Sequence, residues 1–294
     1  MIEEADALLE AVRNARSASD FLLLERLARD MIALGSSEAG TEAEAYGYYF
    51  LGIALSNLNR GSEAADATRQ AIRLYEAAGD RFSAAKAMMN LGSIELDNVG
   101  NADQARRLYE ASAPIVRELG DPLNLAITLG NLGEICRLEG DYRGALTNAE
   151  ESLAIFSTLD DTDNTVWQLT AIAHYRFALR QHGAAIETMA QAYELLRENP
   201  NPRWLAWYFD TWFLIAAGLE QWDSAAELLA FSDKYRDEQN QPRLQAMLPW
   251  LSTPKERLAR ELPHDRLGEL VAAGEALTIE TAQRLAESIR RPTS

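Results

Sequence analysis

The chain has 294 residues, a formal net charge of −17 at neutral pH, 47% hydrophobic residues and 25% charged ones. Binding to nucleic acid rests on Lys and Arg neutralising phosphates, so this balance argues against DNA, RNA and anionic membrane surfaces as partners and favours a neutral or basic protein segment. No apolar run reaches the length of a bilayer-spanning helix, the acidic start at Met1 to Asp6 lacks the apolar stretch of a signal peptide, and the lone Cys136 permits no internal disulfide, which together lead us to expect a cytoplasmic protein.

Ala, Leu, Glu and Arg dominate, so helix is expected throughout. A first, atypical pair covers about residues 2–15 and 18–34, with Ser17 or Ser19 capping its second helix. Pairs follow at 41–58 and 62–78, 81–98 and 102–119, 122–139 and 142–159, 163–180 and 182–198, and 202–220 and 222–238. The joints carry turn chemistry: Gly79-Asp80, Gly120-Asp121-Pro122, Asp160-Asp161 and Asn199-Pro200-Asn201-Pro202, with Gly140-Asp141 inside a pair. Glycine ends a helix in a left-handed cap, and the acidic residue opens the next by accepting from its free N–H groups. Beyond Gln241-Pro242 the pattern changes. Pro249 interrupts the next helical stretch, Thr253-Pro254-Lys255-Glu256 reads as a capping box opening a helix, a second helix ends at Gly274, and a third starts at Thr278.

One phrase recurs at a nearly fixed interval, as Leu51-Gly52, Leu91-Gly92 and Leu132-Gly133. Each is followed, again at a nearly constant distance, by an alanine: Ala64, Ala105 and Ala145. The alanine beat continues at Ala185 and Ala225 after the pair has faded to Ile172-Ala173 and Trp212-Phe213. A further large residue follows each alanine at one shared spacing: Tyr75, Val116, Phe156, Leu196 and Arg236. Such a period signals stacked helical hairpins. Glycine inside a helix costs about 1 kcal/mol against alanine, so these glycines imply close helix–helix approach, with the alanine of the second helix in the space left. The expected fold is all-α, a right-handed superhelical solenoid of antiparallel helix pairs, with a capping pair at 1–40, five pairs at 41–238 and a helical C-terminal cap at 239–294.

The pattern Asn131-Leu132-Gly133, Gly140-Asp141-Tyr142 and Ala145 resembles the tetratricopeptide repeat, in the long-helix form seen in kinesin light chain and related bacterial proteins. The resemblance covers about residues 41–238 and is sharpest in the second to fourth pairs. The segment from Ala225-Ala226-Glu227-Leu228-Leu229 to Gly274 through Glu280 is similar to the end of the repeat domains on bacterial signal-transduction ATPases and transcriptional regulators. This sequence contains no phosphate-binding Gly-x-x-x-x-Gly-Lys loop.

Catalytic and metal chemistry find no pattern. His174, His182 and His264 are scattered, Cys136 reads as a small core residue, and the carboxylates at Asp160, Asp161 and Asp163 are explained by capping. No cofactor is expected. In stacked repeats the first helix of each pair lines the concave face. Three positions on it, set by the Leu-Gly pair, matter. Five before Leu stand Tyr46, Lys86, Ile127, Trp167 and Trp207. Just before Leu stand Phe50, Asn90, Asn131, Ala171 and Thr211. Two after Leu stand Ile53, Ser93, Glu134, His174 and Leu214, with Arg137 and Asp210 on neighbouring lines. The resemblance implies that Asn90 and Asn131 hold a peptide backbone. Lys86, Glu134, Arg137, Trp167, His174, Trp207 and Asp210 then complete a peptide-binding groove. Trp212 and Trp222 are expected in the core. The expected role is non-catalytic binding of a protein or peptide segment; a sensor arm of a signalling regulator and a self-associating scaffold are the alternatives.

Overall fold

In a computed structural model of the chain, residues 2–36, 42–243 and 248–289 are described. Among these residues there are fifteen α-helices and one π turn, with no strand. The expected boundary at residues 40 and 41 lies outside the described residues. No described helix is long and apolar enough to cross a membrane.

The chain divides into two compact units, Met1–Ile135 and Cys136–Ser294. The first holds α1 (Ile2–Ser17), α2 (Phe21–Ser36), α3 (Glu42–Asn57), α4 (Gly61–Ala78), α5 (Arg81–Ile94), α6 (Ala102–Glu118) and most of α7 (Pro122–Leu138). Its core joins Val12, Leu24, Met31, Phe50, Leu51, Ala64, Leu91 and Ile94. The second unit holds the end of α7, then α8 (Tyr142–Thr158), α9 (Thr162–Ala178), α10 (His182–Glu198), α11 (Pro202–Gly218) and α12 (Trp222–Glu238). The tail adds α13 (Leu248–Glu261), α14 (His264–Glu275) and α15 (Ile279–Ser288). Its core runs from Val166 and Leu169 through Tyr208, Phe209, Trp212 and Phe213 to Leu251, Leu258, Leu270, Ala282 and Ile289. The tail helices therefore share the core of the last two pairs.

The joints behave as their residues dictate. Gly79, Gly120 and Gly140 take positive φ. Asp80, Asp121, Asp141 and Asp161 accept from the N–H of Ser83, Asn124, Gly144 and Asn164, each at 3.0–3.1 Å. Asp163 accepts from the Asn201 amide. The cap of α2 is neither Ser17 nor Ser19. Ser17 ends α1, Ser19 sits at φ 56°, and Asp20 accepts from Leu23 N–H at 3.0 Å. A carboxylate next to the first turn also meets the positive end of the helix dipole.

The mid-helix glycines mark close approach, but the residue that fills the space lies one turn beyond the expected alanine. A Cβ on Gly52 would sit 2.1 Å from Thr68 Oγ1, and one on Gly92 would sit 2.8 Å from the Tyr109 ring. Thr68 and Tyr109 each stand one helical turn after the repeat alanine. The alanine's small side chain lets the helices approach; the next turn supplies the contact.

One irregularity in the repeat has a structural cause. Ala105 follows Leu91 one position later than Ala64 follows Leu51 or Ala145 follows Leu132, and α5 passes directly into a π turn at Glu95–Val99. A π turn accommodates one additional residue in a helix. Gly100, at φ 78°, closes it by donating to the Glu95 carbonyl. The Glu95 carboxylate is buried and accepts from Arg69, while Asn98 exchanges bonds with Ser56.

The tail differs from expectation in two places. Thr253 and Pro254 do not open a helix: α13 already runs through them, with Pro249 in its first turn. Pro254 forfeits one backbone bond, and the burial of Leu251 and Leu258 on the same helix face offsets it. α14 ends at Glu275, one residue past Gly274, but Gly274 is not a left-handed cap. A Cβ there would lie 2.3 Å from the Glu227 carbonyl oxygen, so glycine lets α14 lie directly on α12.

Gly52→Ala should destabilise the protein by about 1–3 kcal/mol through overpacking, despite alanine's better helix propensity. Adding Thr68→Ala removes the Oγ1 clash and should recover part of that loss. Chemical denaturation of the two single variants and the double variant should therefore show favourable coupling. Additive losses would mean that Thr68 is not what Gly52 accommodates.

Candidate ligand-binding face

The three lines on the first helices part company in burial. Tyr46, Lys86, Ile127, Trp167 and Trp207 are all half-buried, with Tyr46 packed at the edge of the core against Phe50 and Tyr75. On the second line Phe50, Ala171 and Thr211 are buried, whereas Asn90 and Asn131 are half-buried. On the third, Ile53 and Leu214 are buried while Ser93, Glu134 and His174 are half-buried.

In the first unit the half-buried positions include the polar Lys86, Asn90, Ser93, Asn131 and Glu134 beside Tyr46 and Ile127. The Asn90 amide donates to Thr68 Oγ1 at 3.4 Å, beyond the usual range for a full hydrogen bond. Asn131 makes no side-chain hydrogen bond among the described residues. Ser93 pairs with the buried Tyr109 hydroxyl at 2.9 Å. Lys86 Nζ lies 5.3 Å from the Phe82 ring centroid. Crowding by surrounding protein, and then the charge of Glu134, push the Asp97 carboxyl up to about 6.

In the second unit the positions are aromatic and cationic, and a residue from the tail joins them. The guanidinium carbon of Arg137, on α7, lies 3.7 Å from the ring centroid of Trp250, on α13. His174, on α9, stacks on Trp250 with centroids 5.0 Å apart and planes 18° apart. Trp207, on α11, meets it edge-on at 5.5 Å and 77°. Arg137 is only 6% exposed. Burial, and then the charge of Arg137, push the His174 imidazole down to about 3, so it is neutral at pH 7. Three of the expected groove residues thus converge on one indole. Trp250 was visible in the sequence only as one more tryptophan of the tail.

Asp210 is placed differently from the open groove position expected of it. It is 2% exposed and its carboxylate is fully engaged. Oδ2 accepts from Arg236 Nη2 at 2.7 Å and Nε at 3.1 Å, and Oδ1 accepts from Arg243 Nη2 at 2.6 Å and from Ser232 Oγ at 2.6 Å. Arg243 also pairs with Asp233. The physical reason is Arg236, which occupies the large core position filled by Tyr75, Val116, Phe156 and Leu196 in earlier pairs. A buried guanidinium requires a buried anion. That unusual residue was the sequence signal for the pairing. Trp212 is in the core at 1% exposure, and Trp222 is partly buried, with the Arg257 guanidinium 5.1 Å from its ring. Among the described residues no group of three or more His, Cys, Asp or Glu is placed to hold a metal ion.

Residues 83–158 match the family model of the tetratricopeptide repeat. The fold is of the tetratricopeptide type. No curated protein matches the chain by sequence. Among solved structures, BtubC (BKLC) from P. vanneervenii is 19% identical with a TM-score of 0.58, over 67% of this chain and 83% of that one. A Rap protein complexed with competence and sporulation factor is 12% identical with a TM-score of 0.59, over 88% of this chain and 74% of that one. A Signal Transduction ATPase with Numerous Domains with a tetratricopeptide repeat sensor, from Pyrococcus horikoshii, is 16% identical with a TM-score of 0.63. That likeness covers 98% of this chain, which spans only 44% of the length of that protein. At these identities the likeness shows the fold, and no catalytic family is indicated by the comparisons.

Asp210→Ala leaves Arg236 buried beside Arg243 without an anion and should cost about 3–5 kcal/mol, read as a large fall in melting temperature. A melting temperature near that of wild type would show the cluster to be dispensable. A second expectation concerns pH. The folded state holds His174 below its unfolded value near 6.5, so the associated stability is complete above pH 6.5 and is lost as pH falls towards 3. Between pH 6.5 and 5 this amounts to about 2 kcal/mol, from a limiting slope of about 1.4 kcal/mol per pH unit. Urea unfolding of wild type and His174→Gln at pH 7.5 and 5 isolates it: the wild type should lose more, and equal losses would reject the assignment.

Proposed function

We propose that this protein is a non-catalytic binding module that takes a protein or peptide segment on the inner face of its first helices. The observation that carries this reading is the half-buried line at Tyr46, Lys86, Ile127, Trp167 and Trp207, together with Asn90 and Asn131. These side chains are held by the helices and only half-buried, with Tyr46 at the edge of the core, and they change in chemistry from pair to pair as a recognition surface does. An asparagine amide carries both a donor and an acceptor, so Asn90 and Asn131 suit the two groups of an extended peptide unit whatever its side chains. Lys86, Glu134, Arg137, Trp167, His174 and Trp207 then supply selectivity. The negative net charge, and the Asp97 and Glu134 carboxylates, favour a neutral or basic partner. The Rap protein solved with competence and sporulation factor supports a peptide as the class of ligand.

A second reading, a sensor arm whose partner controls an effector, is favoured by the likeness to the signal-transduction ATPase that carries a tetratricopeptide repeat sensor. Both readings use the same face, and self-association through it is a further outcome that light scattering separates.

Peptides selected from a random library by the immobilised protein provide the test. Each lost hydrogen bond costs about 0.5–1.5 kcal/mol, so Asn90→Ala with Asn131→Ala should weaken binding of a selected peptide about 5- to 150-fold by calorimetry. The melting temperature should stay near that of wild type. Unchanged affinity rejects the two asparagines as backbone clamps, and failure of any library peptide to bind this face rejects the binding role.

A further inference from the structure

Trp250 is held in a manner that ordinary core packing does not require. Its walls come from three separate helices, and each presents a group with a specific affinity for a flat π system. Arg137 lays a guanidinium over the ring face, His174 stacks nearly parallel to it, and Trp207 offers its edge. Cation–π and offset aromatic contacts of this kind recognise the ring itself rather than mere apolar bulk. The Trp250 indole N–H is buried and has no acceptor among the described residues. The ring is therefore held by its faces and edge, without a hydrogen bond to the indole nitrogen. The neighbouring Leu251 and Leu258 are 3% and 4% exposed and tie α13 into the core of the second unit. They anchor the helix independently of Trp250, so vacating the site requires the departure of one side chain and not the release of the tail.

We propose that Arg137, His174 and Trp207 form an indole-binding cage, that Trp250 fills it in cis, and that a partner segment bearing an exposed tryptophan takes the same place. The proposal rests on the reading of the inner face as a peptide-binding surface and names the side-chain chemistry recognised in the second unit. Trp250 is then both an internal ligand and a competitor: a partner binds only as far as it displaces it.

The test uses the full chain and N-acetyltryptophanamide as the probe. Calorimetry should show saturable binding to Trp250→Ala, with little or none to wild type and none of N-acetylleucinamide to either. Adding Arg137→Ala to Trp250→Ala should weaken the probe by about 2- to 30-fold, the range of a cation–π contact. Circular dichroism melts accompany each variant. Trp250→Leu keeps apolar bulk on α13 and provides the same comparison if the alanine chain melts early; it too should bind the probe more tightly than wild type. Folded variants that fail to bind the probe overturn the cage, as does equal binding of the leucine amide or equal binding by wild type. Such a failure leaves the asparagine test untouched, because that test uses a selected peptide and residues of the other unit.

Discussion

Two of the helix pairs close where a glycine on the first helix meets a turn of the second. Gly52 receives Thr68 and Gly92 receives Tyr109, with Ala64 and Ala105 one turn away. Nothing larger fits without displacing a buried partner. Two helices that approach so closely bury the faces they share almost completely, and their other faces are left to neighbouring pairs and to solvent. The half-buried positions at Tyr46, Lys86, Ile127, Trp167 and Trp207 are the remainder of this geometry. They are fixed by the backbone and stand at the margin of the packing, Tyr46 against Tyr75 and Trp207 against Trp250, and they vary in chemistry from pair to pair. Binding capacity thus follows from the same contact that creates the fold.

Much of this was legible because it is periodic and local. The glycine–aspartate joints fixed helix ends to within a few residues, since αL glycines and N-cap carboxylates act over three or four positions. Even the longer interval between Leu91 and Ala105 carried information, and the π turn at Glu95–Val99 is where the additional residue is absorbed. What the pattern missed is non-local or local against propensity. Asp210 stood on a neighbouring line of the groove face, but only the fold brings Arg236 and Arg243 to it. Pro254 reads as a helix start until the burial of Leu251 and Leu258 on one face of α13 is known. Gly274 reads as a left-handed cap until the approach of α14 to α12 is seen. In each case a single long-range contact overrides a sound local rule.

The last pair shows what replaces the small-residue contact when it is lost. Where the Leu-Gly phrase becomes Trp212-Phe213, the second unit builds its core from Tyr208, Phe209, Trp212, Phe213 and Phe231, and the rings of Tyr208, Phe209, Trp212 and Phe231 lie 4.7–6.3 Å apart along the chain of contacts. The terminal position that held an apolar side chain in earlier pairs becomes Arg236, satisfied by Asp210. This charge cluster reaches Arg243, beyond the last helix of the repeat, so electrostatics continues the fastening of the tail where the repeat itself stops. A hydrophobic residue at 236 would pack the pair but leave the buried Asp210 with one of its two arginines gone. The two substitutions are therefore bound together in a way that neither position reveals alone.

The same tail brings Trp250 to Arg137, His174 and Trp207, and its tethering sets a threshold for any competitor. A group attached to the chain competes at an effective concentration of at least the order of millimolar. An isolated indole side chain gains only a few contacts and cannot exceed that by much. A partner that displaces Trp250 must therefore draw on additional positions of the inner face, with Trp167 the nearest in kind, and the cage then contributes selectivity more than affinity. Neutral His174 fits this role. At pH 7 it offers a flat ring without a second charge beside Arg137, so the indole meets one cation and not two. Protonating it would place two positive groups around one ring while imposing the cost of a buried imidazolium. An occupied cage and an uncharged His174 are thus mutually reinforcing, which couples the state of the binding face to the packing of the tail that fills it.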